Sequence, residues 1–304
     1  MMPQVTPSSA GSRPVAVTGA TGALGGRVVA RLAAAGVPLR LVVRDPGRAP
    51  RPAGAEIVAN PGGYADGPGL TAALTGTDTL YLVSAAESED RLREHLTAVD
   101  AAAAAGVRRI VYTSFVGAAP GAVFTLARQH AATEAAIAAT GLRHTVLRHG
   151  MYADFVAFFA TVEDDGTAVI AAPAGNGRVG FVSRDDLADV AAAVLLDDSP
   201  ALDGAVLDVT GPEALSLAEA AAVLTEVTGR RAEYREQTVE EAWATRRPTG
   251  APDWEIAGWV SSYLAIAAGE LATVSDVVPA LTGHPARTLA EHLRAHPGDW
   301  SALR

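Results

Sequence analysis

The chain has no cysteine, and all 24 of its basic residues are arginine, so lysine is absent as well. Without cysteine there can be no disulfide, thiolate metal site or cysteine nucleophile. Without lysine there can be no Schiff-base or pyridoxal chemistry, no P-loop lysine and no kinase lysine. No apolar run reaches the ~20 residues needed to span a bilayer, and residues 1–13 are polar, rich in Pro and Ser and without an apolar signal core. We therefore expect a flexible leader on a cytoplasmic protein that does not enter membranes. Aromatic residues make up only 5%, against 49% hydrophobic and 19% charged among 304 residues, a globular composition large enough for one large or two joined domains. A formal net charge of −10 argues against a nucleic-acid partner, which would require a basic surface.

From Pro14 the chain alternates short apolar strands with helical segments. Strands are expected at 14–18, 39–44, 55–59, 79–84, 109–114 and 144–148, with helices after the first, within 70–74, and over 90–105 and 125–140. Continuous apolar strands joined by helical crossovers indicate a parallel sheet covered on both faces. The second half reads as a helix near 152–162, strands at 168–171, 179–182 and 205–209, and helices over 184–196, 217–228 and 261–271. The expected architecture is α/β, a doubly wound Rossmann domain over 14–150. A smaller carboxy-terminal substrate lobe over 151–304 would send strands back to the sheet.

Gly19, Gly22 and Gly25 lie between the first strand and an apolar helix, spaced GxxGxxG. Such glycines permit a tight turn, close approach to a pyrophosphate and close helix–strand packing, while the helix amino terminus offers free N–H groups. A dinucleotide site follows. The position that selects the adenosine ribose, at the end of the second strand, is Arg44, which suits a 2′-phosphate; Asp45 next to it suits a ribose hydroxyl. NADP(H) is the preferred cofactor and NAD(H) the other.

Thr18 to Gly25, Val43-Arg44-Asp45-Pro46, Tyr112-Thr113-Ser114, Leu147 to Tyr152, Arg184 to Ala188 and Thr282-Gly283-His284-Pro285, taken in order, resemble the NmrA-like atypical short-chain dehydrogenase/reductases. The similarity is strongest to their NAD(P)H:quinone oxidoreductase type 2 branch and runs from about residue 14 to 295. It implies a dinucleotide across the carboxyl edge of the sheet, with the nicotinamide under the second lobe. It also implies that Thr21, Gly22, Ala23 and Leu24 hold the pyrophosphate and Arg44 the adenosine phosphate. Ser84 and Ala85 would lie near the ribose, with Thr113, Ser114 and Phe115 on the nicotinamide side. The chain departs from the pattern at Asn60, where relatives often carry an acid, and in the Pro61-Gly62-Gly63 turn after it.

Typical short-chain dehydrogenases pair a tyrosine with a lysine four residues later. Here Phe124 and Arg128 occupy that interval, so the standard proton-donating pair cannot exist. The quinone-reductase resemblance instead places His130, with Glu134 one helical turn on. His130 either bonds the nicotinamide ribose, supplies a proton with a pKa near operating pH, or packs without chemistry. Tyr152, at a strand's carboxyl end, either donates to a substrate oxygen or walls the cleft. Ser114 stands at a comparable strand end and is the third catalytic candidate. Phe115, His149 and Met151 are expected beside Tyr152 as substrate-lining residues. His292 and His296 stand four apart on a polar segment without an intervening glutamate, so no metal is expected. The doublets Asp164-Asp165, Asp185-Asp186 and Asp197-Asp198 read as solvated turns or caps.

The expected activity is hydride transfer from NAD(P)H to a quinone or similar electron-poor aromatic, for which assisted protonation is dispensable and the cofactor supplies the difficult chemistry. The Ala/Arg-rich composition suggests a bacterial enzyme tailoring an aromatic polyketide quinone. Its oxygen-reactive hydroquinone would initiate a hydroxylation together with a partner protein. A second hypothesis is an NAD(P)-sensing regulator, because the NmrA-like resemblance includes members that bind dinucleotide and act on a protein without turnover, and a third is ketone or enone reduction with His130, Tyr152 or water donating the proton.

Overall fold

The computed structural model describes residues 13–303. The expected leader lies outside the described residues except for Arg13, which pairs with Asp78 at 3.2 Å. The first half runs β1 (Val15–Thr18), α1 (Ala23–Ala34), β2 (Leu39–Val43), β3 (Glu56–Ala59), α2 (Gly67–Leu74), β4 (Thr79–Leu82), α3 (Arg91–Ala104), β5 (Arg109–Phe115), α4 (Thr125–Ala139) and β6 (Arg143–His149). The second half contains α5 (Phe155–Phe158), β7 (Ala160–Val162), β8 (Ala168–Ala172), β9 (Arg178–Val179), α6 (Arg184–Leu196), β10 (Ala205–Val209), β11 (Leu215–Ser216), α7 (Leu217–Thr228) and β12 (Ala232–Glu236). It closes with α8 (Val239–Arg246), α9 (Asp253–Ala267), α10 (Val277–Thr282) and α11 (Leu289–Ala295).

Seven parallel strands form the main sheet in the order β10-β6-β5-β4-β1-β2-β3. The chain reverses its direction of travel across the sheet between β1 and β4, and the crevice beyond their carboxyl ends is where open α/β sheets bind ligands. One face packs on α1, α6 and α10 around Val17, Val28, Tyr81, Leu147 and Val190. The other packs on α2, α3 and α4 around Leu80, Ala98, Ile110, Tyr112 and Ile137. Coverage on both faces explains why the strands are apolar throughout; β5, for instance, is buried in six of its seven residues.

After Gly150 the chain first builds a separate lobe. The hairpin β7–β8 pairs with β12, and α5, α7 and α11 close over it around Met151, Ile170, Phe181, Leu224 and Tyr263. Residues 184–209 then return to the main sheet, α6 against α1 and β10 alongside β6. Ion pairs of Arg27 and Arg31 with Asp185 and Asp189 lace α1 to α6.

Two expected helices differ from those observed. The run near 152–162 is helical only over Phe155–Phe158. Its end is drawn into an antiparallel strand against β8 by the turn at Gly166, whose φ is 85°. The helix expected over 261–271 begins at Asp253, where Pro252 sets extended backbone at its N-cap and acids occupy the first turn. His292 is not on a polar segment. It is buried on α11, with Nδ1 3.1 Å from Ser183 Oγ and Nε2 3.1 Å from Asp299, while His296 reaches Asp185 at 2.9 Å. Asp186 is likewise no solvated cap. It is fully buried and paired with Arg287.

Candidate active site

The chain turns from β1 into α1 at Gly19, whose φ of +64° favours glycine. A Cβ there would meet the side chain of Val83 at 2.9 Å, and one on Gly25 would come within 2.2 Å of the Gly19 carbonyl oxygen. Gly22 is the N-cap of α1. It brings no side-chain cap, and the first turn of the helix holds no acid, so the leading N–H groups face the bend without a side-chain acceptor. That is the donor set an anion requires.

A cleft of about 410 Å³ opens from this bend, lined by Thr18, Gly19, Thr21, Arg44, Asn60, Gly63, Tyr64 and the segment from Val83 to Ser88. Thr18 Oγ1 accepts from the Val83 N–H at 3.1 Å, and the Tyr64 phenol lies 2.6 Å from both Thr18 Oγ1 and the Val83 carbonyl. These contacts join the β1 and β4 ends to the Gly-rich turn after β3. Arg44 extends past the end of β2 over Gly63, its Cδ 3.3 Å from where a Cβ would sit. Asp45 does not line the cleft; its carboxylate accepts from Gly47 N at 2.8 Å and caps a short 3-10 turn. Asn60 is buried, with its amide donating to Gly63 O at 2.7 Å and its Oδ1 left without a partner; Ser88 Oγ is also buried and unpartnered. A larger hollow of about 520 Å³ lies between Arg230, Arg231 and Trp300 and holds none of the expected site residues.

The segment Ser84–Ala85 is held from behind. Ser84 N–H donates to Thr113 Oγ1 at 2.7 Å and Ala85 N–H to His95 Nε2 at 2.8 Å, while the Ala85 carbonyl accepts from Arg91 Nε at 3.0 Å. Arg91 also donates to Gln129 Oε1 and to His130 Nε2, each at 2.9 Å, and His130 Nδ1 lies 2.8 Å from the Tyr112 hydroxyl. Burial, the Arg91 charge and the neighbouring histidines push His130 well below the ordinary histidine range. Burial and Arg91 likewise bring His95 down to about 3. Burial drives the Tyr112 phenol upward.

Several expected residues therefore sit differently from their anticipated roles. Burial and Arg91 disfavour a charged His130, and both its ring nitrogens are engaged, Nε2 by Arg91 and Nδ1 by the Tyr112 hydroxyl. The Ser114 hydroxyl is engaged within the protein. It donates to Glu134 at 2.5 Å, and Glu134 in turn binds Arg148 through both oxygens at 2.9 and 2.6 Å. The side chain of Thr113 is committed to Ser84 N. Met151 and Leu24 are buried in apolar cores, which leaves only the backbone of Leu24 for the bend. Gly19, Thr21, Arg44, Ser84 and Ala85 line the cleft, and Gly22 and Ala23 stand at its helix end.

At the β5 and β6 ends, Phe115 stacks on His130, with ring centroids 6.4 Å apart and planes inclined at 24°, and meets Phe124 edge-on at 5.2 Å. His149 is buried, pushed down to about 3 by burial and Arg184; its Nε2 has no partner, and its Nδ1 lies 3.4 Å from the Tyr152 hydroxyl. Tyr152 carries the Arg184 guanidinium 4.3 Å above its ring, and burial raises its phenol. From Tyr152 a run of rings leads outward through Phe155 at 5.5 Å to Phe158 at a further 6.2 Å, and Phe158 is 82% exposed.

Comparison with known proteins matches residues 12–249 to the NmrA-like family. The chain belongs to that family. This NmrA-like chain is 33% identical to quinone oxidoreductase 2 of Escherichia coli (strain K12), over 91% of its own length and 96% of the relative's. It is 34% identical to (4-alkanoyl-5-oxo-2,5-dihydrofuran-3-yl)methyl phosphate reductase of Streptomyces griseus, with 95% and 96% covered. Among solved structures, that of the NADPH-dependent quinone oxidoreductase QOR2 of Escherichia coli complexed with NADPH superposes with a TM-score of 0.82 at 31% identity, covering 93% of this chain and 99% of the other.

Tyr64, Arg91 and His95 are the cleft-supporting residues that sequence reasoning missed. For Arg91 and His95 a signal existed: both fall on the buried stripe of α3 with Ala98 and Ala102, where a charged or polar residue needs a partner.

Proposed function

We propose that the cleft takes NADP(H) and that the chain, an NAD(P)H-dependent oxidoreductase, delivers hydride to a quinone or a similarly electron-poor aromatic acceptor. One observation carries this reading: among the described residues, no histidine or tyrosine at the β4, β5 and β6 ends is set to exchange a proton near neutrality. His95, His130 and His149 are driven down by burial and nearby arginines, and Tyr81, Tyr112 and Tyr152 are driven up by burial. A ketone needs a proton delivered to its oxygen as hydride arrives. A quinone does not, because aromatisation stabilises the reduced anion until water protonates it.

The residues fit the nucleotide. The backbone of Thr21 to Leu24 would offer N–H donors to the pyrophosphate, Arg44 would pair with the 2′-phosphate, and the unpartnered Asn60 Oδ1 would accept from the adenine amine. When bound, the nicotinamide supplies the hydride. Residues 14–150 then carry the nucleotide, and the segment from His149 to Phe158 walls the acceptor. Phe115 and Tyr152 offer ring faces, and the run to Phe158 extends the apolar wall enough for a multi-ring substrate of the aromatic polyketide type. Its hydroquinone, once released, is the oxygen-reactive species from which a hydroxylation by a partner protein begins.

The test is NADPH oxidation against a panel of quinones and matched ketones. Turnover confined to the quinones supports the reading. Efficient ketone reduction refutes it, and tight nucleotide binding without turnover on any acceptor would assign the chain as an NAD(P)-sensing regulator.

A further inference from the structure

Arg91 is 3% exposed and has no ion-pair partner among the described residues. Its donors go to a carbonyl, an amide and an imidazole, the Ala85, Gln129 and His130 bonds described above. A buried cation held only by neutral acceptors is costly, and it fixes the protons around it. A guanidinium can only donate, so His130 Nε2 must carry the lone pair and its Nδ1 the hydrogen, which points at Tyr112. By the same logic the Ala85 N–H fixes His95 Nε2 as acceptor. His95 Nδ1–H then faces Thr133 Oγ1 at 3.0 Å, and that hydroxyl donates to Gln129 O at 2.8 Å. A single placement of hydrogens satisfies these donors.

We propose that Arg91 is a positioning residue that clamps the Ser84–Ser88 wall of the cleft to α4 and locks His130 as the neutral Nδ1–H tautomer. The titratable and charged groups facing His130 are Arg91 and His95 from α3, Tyr112 from β5 and His149 from β6; α9 meets α4 through Ser261 and Thr125. No carboxylate is among them, so only Arg91 decides which imidazole nitrogen is bare. Arg91 thereby ties the Ala85 carbonyl in the cleft wall directly to Gln129 and His130 on α4.

The clamp is tested in two ways, and the first needs no nucleotide. Nitrogen NMR of the wild-type chain between pH 5 and 8 should show His130 as pure Nδ1–H; an Nε2–H form or an imidazolium would overturn the proposal. In Arg91→Met, His130 should populate Nε2–H and begin to take up a proton at higher pH, and the KM for NADPH should rise about tenfold, the scale of one lost charge-assisted bond, with kcat changed less. Arg91→Lys, which keeps a charged donor, should restore the Nδ1–H form. A folded Arg91→Met protein with unaltered tautomer and KM would also overturn it. The kinetic arm rests on the nucleotide reading of the cleft and the tautomer arm does not, so the two can fail separately.

Discussion

Replacing Arg44 with alanine tests the cleft where its chemistry is most specific. The side chain lies over Gly63, exposed at the end of β2, and makes no ion pair among the described residues, while Asp45 is already engaged by Gly47. The guanidinium is thus available to a 2′-phosphate, and the neighbouring carboxylate is not well placed to read a ribose hydroxyl. Hydrogen bonds to a charged group contribute about 1.5–3 kcal/mol, so losing them weakens NADPH binding by about 10- to 150-fold. NADH shares only the stacking of the guanidinium on adenine, about 0.5–1 kcal/mol, and should lose about two- to fivefold. A phosphate monoester takes up its second proton near pH 6, so the NADPH penalty should shrink at about pH 5. Calorimetric titration of both nucleotides at the two pH values decides the matter. Equal losses for NADPH and NADH, or a penalty indifferent to pH, would refute the phosphate role.

With saturating NADPH and a quinone, kcat should be flat between about pH 5.5 and 9, since the site histidines are neutral and the tyrosines protonated throughout that range. A fall with rising pH centred near 6.5 would mean that a histidine gives up a proton in the rate-limiting step. Gly25→Ala puts a Cβ 2.2 Å from Gly19 O, so the bend must shift by about 1 Å and NADPH binding should drop about 100-fold, with a lower melting temperature. Gly22→Ala, with 3.3 Å to the same atom, should be far milder in both measurements. Phe158→Ala should raise the KM of multi-ring quinones about tenfold, leaving single-ring quinones and the melting temperature unchanged, because the ring is 82% exposed. Equal effects on small and large acceptors would remove Phe158 from the substrate wall.

The glycine-rich bend was legible in the sequence because its signal is local. Glycine spacing, a buried strand before it and an apolar helix after it all lie within about twenty residues, and each is dictated by backbone sterics. The stretch from Tyr152 to Val162 was less legible. Its apolar residues suit either helix or strand, and only the partner strand β8 decided that Ala160–Val162 would be extended. His130 shows the same division at the site. Its residue type and its place on α4 favour a proton donor, but Arg91, 39 positions earlier, takes its free nitrogen.

By itself, then, the sequence determined the parallel sheet, the glycine-rich turn with its open helix end and the exclusion of every lysine- or cysteine-based chemistry, since these depend on composition and short-range pattern. Tertiary structure alone decided which polar side chains are free to act. Ser114, Thr113 and His130 are each bound to residues distant in the chain, and protonation depends on burial and neighbouring charge, neither of which is a local property of the chain.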